Sequence, residues 1–178
     1  MAEDFSFAWE LREHGGAVCR VGDAGGGAAF VARRPADALA DVLHGLCGLY
    51  GPLPGERFFF DGEPVEIRWV LRREGPDVDI AVYLFPDMRD SLGLPDTAGL
   101  LVWRSRQRRR RVVHAVLAAA QAVLEPPRDG SAPHPPFPAG PLRDLRRAHR
   151  REDGCGPGCA GAGAPRRRPS DRGRLPRG

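Results

Sequence analysis

A chain of 178 residues, 42% hydrophobic and 7% aromatic, has room for one core of ordinary domain size. Its four cysteines are too few for a disulfide scaffold, and its longest apolar stretch, residues 112–124, is interrupted by His114 and Gln121; it falls short of the roughly 20 residues that span a bilayer, so no membrane partner is expected. Charge is divided: residues 1–100 hold 9 Arg against 17 Asp plus Glu, net −8, and residues 101–178 hold 18 Arg against 6, net +12. Such blocks favour attraction between the halves, or of the second half for a polyanion.

All 27 basic residues are Arg. A planar guanidinium suits phosphate and carboxylate, but exclusive Arg beside abundant Ala, Gly and Pro also follows from G+C-rich coding.

The opening MAEDFSFAWELREH is acidic and lacks the basic and apolar regions of a secretory signal, so a cytoplasmic location is expected. Cys19 and Cys47 then read as small buried hydrophobes. Strands are expected at Phe5 to Arg12, Ala17 to Val21 and Ala28 to Arg33, joined by His14-Gly15-Gly16 and by the Gly25-Gly26-Gly27 run. The run GDAGGG is not a phosphate loop, because its glycine order is wrong, no Lys-Ser or Lys-Thr follows, and a strand comes next.

Pro35 opens a helix with Leu39, Val42, Leu43, Leu46 and Leu49 at helical spacing, which Gly51-Pro52 ends. Gly45 and Gly48 inside it cost about 1 kcal/mol each relative to Ala, so this helix depends on packing.

Asp61-Gly62 between two β-prone runs predicts a two-residue hairpin in which Phe60 faces Glu63, Phe58 faces Val65, and Arg57 pairs with Glu66. A second hairpin turns at Gly75-Pro76, setting Leu71 opposite Ile80, Trp69 opposite Val82 and Ile67 opposite Leu84. By two-residue alternation these apolar residues share a face with Phe58 and Phe60. The other face receives Glu66, Arg68, Arg72, Asp79 and Tyr83, and Arg68, Arg72, Asp79 and Tyr83 form the candidate protein-binding surface.

Residues 92–98 read as a loop, 99–103 as a short strand, and a helix is expected from Arg104 to about Leu124, where Pro126-Pro127 stops it. Twelve of the thirteen aromatic residues lie between Phe5 and Trp103, so the apolar payload sits in residues 1–124, expected as a single domain. Residues 125–178 hold 11 Pro and 9 Gly among 54 and are expected to be a mostly disordered tail, with a short docked helix at 141–151.

In RSRQRRRR, the arginines Arg108, Arg109, Arg110 and Arg111 are the candidate polyanion-binding residues. On a helix they stand about 100° apart and share no face, although Arg109 falls on the side of the apolar stripe. The alternative is that they solvate a helix start or partner the acidic half. Arg166 to Arg168, Arg172, Arg174 and Arg177 extend the basic character. CGPGC, Cys155 to Cys159, with His149 before it, invites a metal reading, but a structural zinc needs four ligands and no matching second pair stands nearby. That segment is expected to be Gly-rich and flexible, and no metal or cofactor is expected. The carboxylates Glu63 and Glu66 are explained by cross-strand pairing, and no Ser, Cys or Thr stands in a nucleophile context, so no catalytic residue is assigned.

The segments containing Trp9, RRPADALADVL from Arg33, EPVEIRWVLRR from Glu63 and FPAGPLRDL from Phe137 resemble a group of small bacterial α+β proteins with no assigned activity, over roughly residues 5–147. In place of the longer, more aromatic stretch that links the last helix to the FP motif in that group, this chain has PPRDGSAPHPP. Some proteins of this build resemble immunity proteins or other partner-binding modules. The expectation is therefore an α+β domain, an antiparallel β meander of five to seven strands with two helices packed on one face, acting as a non-enzymatic cytoplasmic interaction module, immunity-like or regulatory, with an unidentified protein partner. The rival is weak, non-specific binding of nucleic acid or another polyanion through the arginine cluster and tail.

Overall fold

The computed structural model describes residues 5–124, 137–156 and 159. β1 (Ser6–Leu11), β2 (Ala17–Asp23) and β3 (Gly26–Ala32) form an antiparallel sheet in that order. Trp9 pairs with Cys19 and Cys19 with Phe30, so one row of apolar side chains enters the core. The β1–β2 turn needs φ +89° at Gly15 and +80° at Gly16, values that residues with a Cβ seldom adopt.

α1 (Pro35–Gly48) comes next and lies against the fourth strand. A Cβ at Gly45 would stand 2.6 Å from the Phe58 ring, so the glycine that weakens the helix is the residue that lets it approach the sheet. β4 (Gly55–Asp61), β5 (Glu66–Glu74), β6 (Asp77–Phe85) and β7 (Leu100–Arg108) form a second antiparallel sheet in chain order. The expected single meander is thus two sheets, of three and four strands. α1 carries the chain from β3 to β4, and these strands meet without a ladder, through the bond Arg33 N–H to Asp61 C=O at 3.0 Å. Aromatic pairs across the gap, Trp9 with Phe60 and Phe30 with Trp69, each edge-on at 5.8 Å, join the two sheets in one core.

The β5–β6 hairpin has the expected register, with Trp69 opposite Val82 and Arg72 opposite Asp79. Gly75 takes φ +61°, the positive value that the first central position of a type II′ turn needs. The first hairpin differs. Phe60 pairs with Ile67, Phe58 with Trp69 and Asp61 with Glu66, so the connection is Gly62–Val65 rather than Asp61-Gly62. The shift moves each partner by an even number of residues, and the apolar face is unchanged. Arg57 consequently lies opposite Val70, not Glu66.

The expected helix from Arg104 is also corrected: residues 104–108 complete β7, and α3 runs Arg109–Leu124. Along Arg104 to Arg108 burial alternates, with Ser105 and Gln107 inward and the arginines outward, a strand period that the helical apolar stripe beyond it obscured. A third long helix, α4 (Ala139–Asp153), includes the expected 141–151 segment and buries Leu142 and Leu145, so three long helices rather than two are present, and α4 lies against α1 and α3. α4 runs antiparallel to α3, with Arg109 bonded to Asp153 at one end and Arg146 to Gln121 toward the other. A one-turn helix α2 (Met88–Ser91) lies between β6 and β7. Among the described residues no helix is long and apolar enough to cross a membrane. The remainder of the expected tail, with Arg166 to Arg168, lies outside the described residues.

Candidate metal centre

The residues expected to bind partners occupy three different environments. Arg68 is 6% exposed, which removes it from the candidate surface. Residues 91–96 cover it: Nε donates to Glu66 at 2.6 Å, and the two Nη atoms donate to Leu94 C=O (2.9 Å), Asp96 (3.2 Å) and Ser91 C=O (3.1 Å), with the guanidinium 4.1 Å from the centre of the Phe85 ring. Ser91 Oγ donates to the other oxygen of Glu66, so this cluster fastens the β6–β7 connection over the sheet. Glu63 is instead paired with Arg33 at 2.7 Å on the surface, and the two carboxylates do not converge. Arg72, Asp79 and Tyr83 remain together, lining a basin of about 420 Å³ with Arg57, Asp96 and Arg104.

Arg108, Arg109, Arg110 and Arg111 are not brought onto one surface. Arg104, Arg106 and Arg108 project from β7 toward the acidic half, to Asp79 (2.6 Å), Glu74 (2.6 Å) and Asp77 (3.3 Å) respectively, so the opposed charge blocks of the sequence meet across β6 and β7. Arg109 turns inward, binding Asp153 at 2.8 Å with its guanidinium 4.2 Å from the centre of the Tyr50 ring. Arg110 and Arg111 continue into α3.

Beside that inward arginine, four metal-ligating side chains converge. His114 comes from the second turn of α3 and His149 from the last turns of α4. Gly154 then takes φ +63°, a left-handed helix end that turns the chain back and returns Cys155 and Cys159 toward the helices. One donor atom from each of His114, His149, Cys155 and Cys159 lies within 4.8 Å of the others. His114 Nε2 is 3.4 Å from Cys155 Sγ and 2.6 Å from Cys159 Sγ, and His149 Nε2 is 3.2 Å from Cys159 Sγ. Donors bound tetrahedrally at zinc distances of 2.0–2.3 Å stand roughly 3.3–3.8 Å apart; the cluster brackets that range.

The surroundings prepare these groups to ligate. Burial lowers the pKa of both imidazoles, and for His149 this outweighs the opposing pull of Asp153. Neutral His149 can hold only one ring proton, and Nδ1 sits 2.9 Å from Asp153, which places the proton there and leaves Nε2 a lone pair facing the sulfurs. Asp153 is itself held: burial would raise its pKa, but hydrogen bonds from Tyr50 (2.5 Å) and Arg109 (2.8 Å) keep it below the usual carboxylate range. Burial and the neighbouring Cys155 push the Cys159 thiol up to about 11; a bound divalent cation displaces that proton. His149 is 1% exposed and Cys155 6%, so these two donors are withdrawn from water, while His114 and Cys159 are half-buried.

The spacing Cys155-x3-Cys159 was visible in the sequence. His149 was noted before it, but the fourth donor was not legible, because His114 belongs to another helix and meets His149 only when α3 and α4 pack. No protein-family model, no curated protein and no solved structure matches this chain.

Proposed function

We propose that this chain binds one zinc ion through His114 Nε2, His149 Nε2, Cys155 Sγ and Cys159 Sγ, and that the ion has a structural role. The observation that carries this reading is the convergence of the four donors from α3, α4 and the loop after α4, with the free lone pair of His149 set by Asp153. Two thiolates and two imidazoles suit Zn²⁺, whereas Ca²⁺ and Mg²⁺ take oxygen donors. Four protein ligands close a tetrahedral ion and leave no position for substrate, which supports fastening rather than catalysis. The ion would tie α4 and its following loop to α3. Elemental analysis of purified protein should find one zinc per chain, and Co²⁺ loaded in its place should give the absorption of a tetrahedral thiolate site. The variants His114→Ala and Cys155→Ser should lose both. Zinc absent from the parent protein and no cobalt–thiolate absorption would refute the reading.

Within the same proposal the folded body is a non-enzymatic module that binds a protein partner, favoured by the basin where Arg72 and Tyr83 lie beside Asp79 and Arg104. Arg72→Ala with Tyr83→Ala should abolish recovery of that partner; equal recovery removes this surface from consideration. The polyanion alternative is weakened by the pairing of Arg104, Arg106, Arg108 and Arg109 with carboxylates. Binding to random DNA titrated with salt decides it, since neutralised phosphates give a steep loss of affinity.

A further inference from the structure

We propose that Cys155 and Cys159 are a peroxide-sensitive modification site, in which a disulfide between them expels the zinc ion and releases the loop after α4 from α3. The inference rests on the zinc reading and adds its regulation.

The division of ligands between elements carries the argument. Both imidazoles stand on helices whose apolar faces are locked in the core, through Val113 and Leu117 on α3 and Leu142 and Leu145 on α4. Both sulfurs come from the five residues CGPGC that follow Gly154, and lie within 4.8 Å of each other. Joining them asks only the loop to move. A metal and a disulfide are mutually exclusive here, because the same two sulfur atoms serve either bond. Once they are oxidised only two neutral imidazoles remain, and these do not make a structural zinc site.

Exposure sets the order of events. Cys155 is 6% exposed, whereas Cys159 is half-buried and is the more accessible of the two residues to a small oxidant. Zinc keeps both sulfurs as thiolates, the form that reacts with peroxide. The Cys159 thiolate attacks H₂O₂, the O–O bond breaks, and Cys159 becomes a sulfenic acid with loss of hydroxide. The Cys155 thiolate then attacks that sulfur, forming the S–S bond and releasing a second hydroxide. In sum, the zinc dithiolate, one H₂O₂ and two protons give Zn²⁺, one disulfide and two waters. The two sulfurs give up two electrons and the peroxide accepts them.

The other thiols provide internal controls. Cys19 is 0% exposed within the first sheet, and burial raises its pKa far above the ordinary thiol value. Cys47 lies on α1 and is not among the converging donors. The core contacts of α4 and the bond between Arg109 and Asp153 are independent of the sulfurs, so oxidation should free the loop without unfolding the body.

The test uses zinc-loaded full-length protein treated with one equivalent of H₂O₂, with zinc release followed by a colorimetric chelator and the cysteines mapped by mass spectrometry. The expected result is one zinc released per Cys155–Cys159 disulfide, restoration by a thiol reductant plus zinc, and a Cys47→Ser variant that releases within two-fold of the parent rate. Zinc retained with reduced thiols overturns the proposal, as does release accompanied by sulfinic acid and no Cys155–Cys159 disulfide. Protein that holds no zinc before treatment overturns the zinc reading itself, a separate failure visible at the first measurement.

Discussion

Asp153, the last residue of α4, accepts Nδ1–H of His149 at 2.9 Å while Arg109, the first residue of α3, binds the other oxygen of the same carboxylate at 2.8 Å. One carboxylate thus orients a candidate zinc ligand and pins the ends of two helices. Tyr50, just beyond α1, donates to it as well, so three separate parts of the chain meet at this acid.

Asp153→Asn keeps the size of the side chain and removes its charge. Partners that orient ligating imidazoles typically contribute 10–100-fold in metal affinity, so zinc affinity measured by competition with a chelator should fall by roughly that factor. Unchanged affinity would show that Asp153 serves only the helix ends.

Removing zinc should lower stability without abolishing the fold, because the core lies in the sheets and helices. At about 100 times the dissociation constant, a bound ligand contributes about 2.7 kcal/mol, and a chelator should lower Tm by roughly 5–10 °C in calorimetry. His114→Ala should start near the chelated value and show no further response to chelator.

Arginine substitutions should separate by burial. Arg68→Ala leaves Glu66, 5% exposed, without its counter-charge, and should cost about 3–5 kcal/mol in denaturant unfolding. Arg106→Ala removes ion pairs whose arginine side chain is 57% exposed and should stay within about 1 kcal/mol of the parent. Comparable losses for the two would contradict the cover over Arg68.

Gly45→Ala should destabilise, against helix propensity. The helical gain is about 1 kcal/mol, but the added Cβ would lie 2.6 Å from the Phe58 ring, and overpacking of this kind costs about 1–3 kcal/mol. A higher Tm would show that α1 can move off β4 freely.

Asp41 gives a pH dependence. Burial raises its pKa above the ordinary 3.8, with a smaller raise from Asp37 and an opposing effect of His44. Its charged form is therefore disfavoured by folding, a penalty present above the raised value and absent once the group is protonated in both states. Asp41→Asn should raise Tm at pH 7, and the gain should disappear as pH falls below about 4. A gain constant with pH would locate its cause elsewhere.

Local period and turn chemistry, both legible in the amino-acid order, were enough to set much of this fold. Pro35 started α1, Gly75-Pro76 set the β5–β6 register, and alternation put Trp69 and Val82 on the buried face while Arg72 and Asp79 faced the other way. Even where the turn lies at Gly62–Val65 rather than Asp61-Gly62, the faces stay intact, since an even shift preserves the side of every residue. Other features depend on residues far apart in the chain and emerged only when the elements packed. Residues 104–108 became strand through pairing with β6 and its acids. Arg68 became buried when the β6–β7 connection folded over it. The candidate metal centre exists only because α3 and α4 pack antiparallel, bringing His114, distant in the sequence, to His149 and the cysteine pair as the fourth ligand a zinc ion needs.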